Sequence, residues 1–285
     1  MGESWELSTV PGDISVIKGG YLGGLPLDKV IRHYGAKLLG KKIHEEYGNN
    51  FPLLVKFIDA NDDLSIQVHP NDELAQKRHN SLGKTEMWYI MEAEEDAQII
   101  RGFNTSLNHK DYTQLLTQKG SFFHRETVQR GDTVFIPAGT VHAIGKGIML
   151  AEIQQCSDVT YRIYDYDRVG DDGQCRELHL EQAADAIDYS NSGSFLKKYQ
   201  KFGSPSLVNC SYFNTNKVEI EREVVRDFSQ LDSFVIYLML EGSAQIKTKM
   251  GELNMQRGEV CLIPACLDYA MLKPSEASRL LEVHC

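Results

Sequence analysis

The sequence predicts an all-β chain made of two copies of one β unit, with helices inserted between strands. Three observations predict it. Gln129-Arg-Gly-Asp-Thr-Val-Phe-Ile-Pro-Ala-Gly-Thr-Val-His-Ala-Ile144 aligns without gaps on Gln256-Arg-Gly-Glu-Val-Cys-Leu-Ile-Pro-Ala-Cys-Leu-Asp-Tyr-Ala-Met271, 127 residues further on. Six of the first ten positions are identical, and the remainder alternate in character as a strand entering a turn does. A second match precedes each copy, because Tyr89-Ile-Met…Ala97-Gln-Ile99 resembles Tyr237-Leu-Met…Ala244-Gln-Ile246. Elsewhere short β-rich runs bounded by turn residues dominate, which is the pattern of a barrel or sandwich.

Taken in order, the first element is a helix over 27–39. There Leu27, Val30, Ile31, Tyr34, Leu38 and Leu39 follow i, i+3, i+4, i+7 spacing, and Gly40 supplies a stop. The acidic run Glu92–Asp96, broken by Ala93, reads as a solvated hairpin tip. Asn108–Gln118 is a second helix, with Tyr112, Leu115 and Leu116 as its apolar stripe. Arg176–Ile187 is a third, with Leu178, Ala183, Ala184 and Ile187 on one face. Ser190-Asn-Ser-Gly-Ser194 breaks that pattern and opens a linker over 190–206. The expected domains are therefore 1–195, carrying the first copy, and 196–285, carrying a degenerate second.

A chain of 285 residues is about two domains long, and 42% hydrophobic with 25% charged residues is globular usage that excludes global disorder. A net charge of −10 repels phosphate backbones and anionic lipid, so neither nucleic acid nor membrane is an expected partner. A small anionic substrate would need cations placed inside a cleft. The longest apolar run, Phe234–Leu240, is only strand length. The N-terminus lacks the regions of a signal peptide, so the expected compartment is the cytoplasm. Six cysteines without a CxxC pair suggest neither a disulfide framework nor a thiolate metal site.

Three stretches concentrate ligand-type side chains: Gln67-Val-His69, Lys84-Thr-Glu86, and Gly131-x5-Pro137-x-Gly139-x2-His142. Residues two apart on a strand share a face, so Gln67 and His69 can present an amide oxygen and an imidazole side by side. That pair alone means little and reads more simply as satisfied surface or core polar groups. The Gly-Pro-Gly-His spacing is more specific, because glycine and proline force a tight turn and deliver the following histidine inward at a fixed depth. Taken alone, His142 is equally a buried histidine bonded to backbone. Lys84 is open to a reading as an exposed strand lysine, and Arg162 to a structural pair with Asp158 or Asp165.

The Gly131–His142 spacing resembles the second motif of the cupins, β-barrels that hold a metal on inward-facing residues. Their first motif carries HxH and a glutamate; here it is QxH, with Glu86 seventeen residues past His69. With Pro52-Leu-Leu-Val-Lys-Phe57, Leu64–Pro70, Lys84-Thr-Glu86 and Ser157-Asp-Val-Thr-Tyr-Arg162, the chain resembles the zinc-dependent mannose-6-phosphate isomerases in their short bacterial form. The resemblance is strong through residue 181 and looser beyond. It implies a double cupin fold, one zinc ion held by Gln67, His69, Glu86 and His142, and catalytic or substrate-contacting roles for Lys84, Asp158 and Arg162. Members carry a further N-terminal stretch with a Trp-Gly-Gly strand ahead of the part matching Gly2–Ser8, and without that strand a sheet edge is expected to lie open.

The implied reaction interconverts mannose 6-phosphate and fructose 6-phosphate through a cis-enediolate, with zinc as Lewis acid. One carboxylate, two imidazoles and a weak amide oxygen leave zinc an open position, as catalysis requires. In that scheme Arg162 stabilises charge, Lys84 orients substrate or moves protons, and Asp158 orients Arg162. The partner is a small phosphosugar, and the chain is expected to be a monomer or weak homodimer. The alternative of another class is a metal-containing sugar-phosphate-binding or regulatory cupin without turnover. Within enzymes, an isomerase of another phosphosugar and an iron-dependent cupin oxygenase stand as alternatives. The second copy has Tyr269 for His142 and Cys266 for Gly139, which makes a second metal site there unexpected.

Overall fold

The computed structural model describes residues 2–105, 107–115, 122–170, 173–190 and 206–285. Strand β1 (Gly2–Leu7) is followed by a small hairpin, β2 (Thr9–Val10) and β3 (Asp13–Ile14), and by helices α1 (Leu27–Tyr34), α2 (Ala36–Leu39) and α3 (Lys41–Tyr47). Strands β4 (Leu53–Ala60) and β5 (Ile66–Val68) lead to α4 (Asp72–His79), β6 (Glu86–Ala93), β7 (Gln98–Phe103) and α5 (His109–Leu115). Then come β8 (Phe123–Thr127), β9 (Thr133–Ile136), β10 (His142–Ile144), β11 (Ile148–Gln155), β12 (Tyr161–Tyr164) and α6 (Leu180–Ala186). The remainder is strand: β13 (Ser206–Asn209), β14 (Asn214–Ile220), β15 (Val224–Asp227), β16 (Val235–Glu241), β17 (Ser243–Thr248), β18 (Gly251–Gln256), β19 (Val260–Ile263), β20 (Tyr269–Pro274) and β21 (Ser278–His284).

The expected all-β architecture with helical insertions is what these elements form. In the first half the sheets run β1-β4-β11-β6-β9 and β12-β5-β10-β7-β8; in the second they run β13-β14-β21-β16-β19 and β15-β20-β17-β18. The two orders coincide strand for strand, so the sequence repeat is a repeat of topology. Among the described residues, β12, the strand that carries Arg162, is the one without a counterpart in the four-stranded sheet. The turn glycines match too, since Gly131 and Gly258 both take positive φ, +91° and +84°.

Register refines the alignment of the copies. Glu86 pairs with Ile136 and Trp88 with Glu152, whereas Val235 pairs with Ile263 and Tyr237 with Glu282. Tyr237 is therefore the counterpart of Trp88, one residue away from the match to Tyr89 that the sequence suggested, and Val235 stands where the first copy has Glu86. A buried aromatic–glutamate pair is common to both halves. The Trp88 Nε1–H donates to Glu152 Oε2 at 2.9 Å, and the Tyr237 hydroxyl donates to Glu282 Oε2 at 2.7 Å. Each glutamate also faces a cation, Lys56 Nζ at 3.6 Å from Glu152 and Arg226 Nη2 at 2.6 Å from Glu282.

Packing groups Met1–Ser4 with Val55–Lys198, and Trp5–Leu54 with Tyr199–Cys285. The division into 1–195 and 196–285 is kept as a proposal about the two sequence copies. In the second unit Gly40 has φ +99°, and a Cβ there would lie 2.3 Å from the Asp232 carbonyl oxygen. Only glycine permits that approach, which lets Asp232 take the Lys41 and Lys42 amides. The helices differ from expectation in several places, α3 being one addition. The 27–39 helix is broken at Gly35, where φ is +47°, into α1 and α2. The 176–187 helix begins only at Leu180, because His179 is drawn into hydrogen bonds with the Arg162 backbone; Leu178 is then 42% exposed and lies outside the helix. Helix α4 is an addition, capped by the Asn71 side chain on the Leu74 amide. The 108–118 helix is α5, with its last three expected residues outside the described set, as are 191–205 of the expected linker.

In the first unit each strand alternates between two apolar layers. Trp88, Ile90, Ile99, Val134, Ile136, Ile144, Ile148 and Leu150 fill the space between the sheets. Ile66, Val68, Ala143, Tyr161 and Ile163 face outward and are covered by α5 and α6 residues such as Tyr112 and Ala183. Each such side chain contributes about 1.5–3 kcal/mol on burial. Residues next to the outward set on β5, β10 and β12 must therefore point between the sheets, which is what gathers Gln67, His142 and Arg162. Among the described residues no helix is long and apolar enough to cross a membrane.

Candidate metal centre

His69, Glu86 and His142 are each buried to 1% exposure or less, and their ligand atoms lie within 4.8 Å of one another. His142 Nε2 is 3.3 Å from Glu86 Oε1, and His69 Nε2 is 3.5 Å from Glu86 Oε2. Strand geometry explains the convergence. His142 pairs directly with Gln67, and Gln67 with Arg162, so three adjacent strands place these side chains in one row on the inner face. His69 follows two residues after Gln67 on the same face. The turn before His142 is stitched down as the spacing required. Gly139, at φ +85°, donates its amide to the His69 carbonyl at 2.9 Å and accepts the Asp188 amide at 2.9 Å. A Cβ on Gly139 would lie 3.0 Å from the Asp188 nitrogen.

Hydrogen bonds select the imidazole tautomers. His69 Nδ1–H donates to the Val159 carbonyl and His142 Nδ1–H to the Thr140 carbonyl, both at 2.9 Å. Each ring therefore turns an unprotonated Nε2 toward Glu86. Burial pushes His142 down to about 4 and His69 well below its ordinary value, the second aided by the nearby Lys84 charge, so both are neutral near pH 7. Neither oxygen of Glu86 accepts a well-formed hydrogen bond. A fully buried carboxylate without donors is costly unless a cation satisfies it. Part of that charge is supplied by Lys84, whose Nζ is 3.0 Å from Glu86 Oε2 and 3.1 Å from His69 Nε2. Burial acts to lower Lys84, but Glu86 and Glu152 outweigh it and hold the ammonium above its ordinary value. The residues thus fit a metal: two neutral imidazoles, one unsatisfied carboxylate, and a geometry already arranged around positive charge.

Gln67 lies beside this triad, with Nε2 3.3 Å from His142 Nε2. Its amide presents nitrogen as placed; turned over, it presents oxygen. Lys84 is buried, 5% exposed, contrary to a reading as a surface lysine. Arg162 shares the inner row but is paired neither with Asp158 nor with Asp165. Its Nη1 donates to the Glu177 carbonyl at 2.9 Å. Burial, and after it the charge of Arg176, lowers it from its ordinary value. Asp158 is exposed, so the expectation that it orients Arg162 is corrected: the Glu177–His179 segment does so. Asp165 instead holds Arg168 and Arg176, the latter through Nε at 2.7 Å.

Two buried groups escaped the sequence reading. Glu152, 3% exposed, bonds Trp88 and is raised by burial and by Glu86. Gln154, 0% exposed, pairs directly across from Glu86. The signal for both was available, as polar residues at inward positions of the apolar run Ile148–Gln155. Trp88 is wholly buried and meets the His142 ring edge-on at 5.5 Å.

The chain is similar to known proteins along most of its length. Residues 1–100 match the model of the phosphomannose isomerase type I catalytic domain, and residues 204–273 match that of the mannose-6-phosphate isomerase cupin domain. The mannose-6-phosphate isomerase of Streptococcus mutans is 36% identical over 273 residues, covering 92% of this chain and 82% of that protein. A Bacillus subtilis mannose-6-phosphate isomerase is 35% identical over 271 residues, covering 92% and 83%. A crystal structure of mannose 6-phosphate isomerase from Bacillus subtilis superposes with a TM-score of 0.88 at 30% identity, covering 100% of this chain and 90% of that one.

Proposed function

The chain belongs to the type I phosphomannose isomerase family, and from that premise we propose that its reaction runs at the His69–Glu86–His142 cluster. It is an isomerase that interconverts mannose 6-phosphate and fructose 6-phosphate. The observation that carries the placement is the buried carboxylate of Glu86, which has the Lys84 ammonium at 3.0 Å but no well-formed hydrogen bond and faces two inward-turned Nε2 atoms. This set would hold zinc, with Gln67 as a fourth, amide ligand and one position left open. Bound there, zinc supplies Lewis-acid stabilisation of negative charge on neighbouring sugar oxygens.

The protein's own groups do the rest. Moving a proton between adjacent carbons passes through a cis-enediolate, whose charge spreads over two oxygens and needs fixed donors. Lys84, with two of its three N–H groups directed at His69 and Glu86, orients a substrate oxygen beside the ligands. Arg162, in the same inner row, offers a planar fork whose Nε is buried and without an acceptor, and stabilises the developing charge. Asp158, on the exposed segment that also supplies the Val159 carbonyl to His69, contributes at the rim where substrate enters. The substrate is a small phosphosugar and the enzyme is cytoplasmic, acting as a monomer or weak homodimer. Metal quantitation combined with a coupled assay of fructose 6-phosphate formation tests the proposal. One zinc per chain and turnover abolished by chelation are expected. Sugar-phosphate binding without isomerisation would leave a binding module, and iron with oxygen consumption would defeat the isomerase reading.

A further inference from the structure

We propose that Gln154 is a specificity-determining residue whose amide oxygen accepts a hydrogen bond from one hydroxyl of the bound sugar. The inference rests on the phosphosugar reading of the preceding subsection and adds to it a direct contact. Gln154 lies on β11 directly opposite Glu86 on β6, which puts their Cβ atoms about 4.5–5.5 Å apart on the same inner face. Its amide orientation is not free. Nε2 donates to the Gln155 carbonyl at 2.8 Å and to the Ser157 carbonyl at 2.7 Å. Turning the amide over would aim oxygen at two carbonyl oxygens, so those two bonds fix Oε1 on the opposite side. That oxygen is buried and accepts no hydrogen bond, while the residue is 0% exposed.

Native proteins seldom leave a buried acceptor unused, because the desolvated lone pairs then gain nothing in return. On the neighbouring strand the Glu86 carboxylate, with the Lys84 ammonium at 3.0 Å, likewise accepts no well-formed hydrogen bond, so this cross-strand pair presents under-used acceptors side by side. The carboxylate is suited to a metal ion. A neutral amide oxygen held rigidly by its own NH2 group is suited to a hydroxyl. A site built to accept a substrate hydroxyl also rejects analogues that lack it, since the acceptor is then stranded.

The test uses the zinc-loaded chain and an unreactive polyol, mannitol 6-phosphate, with its monodeoxy analogues, read by titration calorimetry alongside metal content. In the unaltered chain one monodeoxy analogue should bind about tenfold or more weakly than the parent. In Gln154→Met that penalty should fall below about threefold while one metal per chain is retained. Gln154→Leu serves as the second variant should the first not fold. A flat deoxy series in the unaltered chain, or an unchanged penalty in either variant, overturns the proposal. Failure of mannitol 6-phosphate itself to bind the zinc-loaded chain overturns the phosphosugar reading instead, and this inference with it.

Discussion

Replacing His142 by alanine removes one of the three clustered donors and leaves the other two in place. The structure sets the size of the effect. The imidazole is fully buried, bonded through Nδ1 to the Thr140 carbonyl and through Nε2 to the Gln67 amide, and packed edge-on against Trp88. Without metal, the lost ring should cost about 2–4 kcal/mol in cavity and hydrogen bond. The metal effect is larger. A four-ligand zinc site is worth about 10–16 kcal/mol, or roughly 3 kcal/mol per ligand, which is more than a hundredfold in Kd. At free zinc about 1,000 times the unaltered Kd, binding stabilises the native chain by about 4 kcal/mol. A variant weakened about 150-fold gains only about 1.2 kcal/mol at the same concentration. Thermal melting with and without zinc, together with a competition titration against a chelator, reads both quantities. Retention of one zinc per chain with Kd within tenfold of the unaltered protein would refute the assignment of His142.

Three further outcomes are expected. Arg162→Ala should keep its full zinc content and lose about a hundredfold or more in kcat; normal kinetics in that variant would remove the guanidinium from the chemistry. Gly40→Ala should destabilise the second unit by about 2–4 kcal/mol, since the new Cβ would lie 2.3 Å from the Asp232 oxygen at φ +99°; an unchanged denaturation midpoint would contradict the close approach. Burial alone would raise Asp165, but Arg176 and Arg168 outweigh it and hold it below the usual aspartate value. Its contribution is therefore complete above the unfolded value near 3.9 and is lost as pH falls below that. Asp165→Asn should cost about 1–2 kcal/mol at pH 7 and lose less stability than the unaltered chain between pH 4 and 2; parallel acid-unfolding curves would argue against the clamp.

The first-unit ligands were legible where local periodicity decides the outcome. Gln67 and His69 share a face because a strand repeats every two residues, and His142 is delivered by a turn whose glycine takes the positive φ its position demands. The duplication was legible because both copies keep the same turn chemistry. Cross-strand register was not, since nothing local says that Glu152 will meet Trp88 or that Gln154 will face Glu86. For the same reason Asp158, four residues before Arg162, looked like its partner, whereas the structure supplies Glu177 through the main chain. Periodicity also ran straight through Gly35, because an amphipathic stripe continues on paper across a residue whose backbone ends the helix.

Both imidazoles that face Glu86 are oriented by peptide carbonyls, those of Thr140 and Val159, and not by carboxylate side chains. A peptide oxygen survives every point substitution, so the hydrogen bonds that set the two ring tautomers cannot be removed one residue at a time. A change in ring orientation with the ligand side chains kept would have to arrive through insertions or deletions that reshape the 137–141 turn or the 157–160 segment. Homologues that differ in loop length at these two places are therefore where altered ring orientation should be sought, and libraries of shuffled loops are a better engineering route to it than saturation of neighbouring positions.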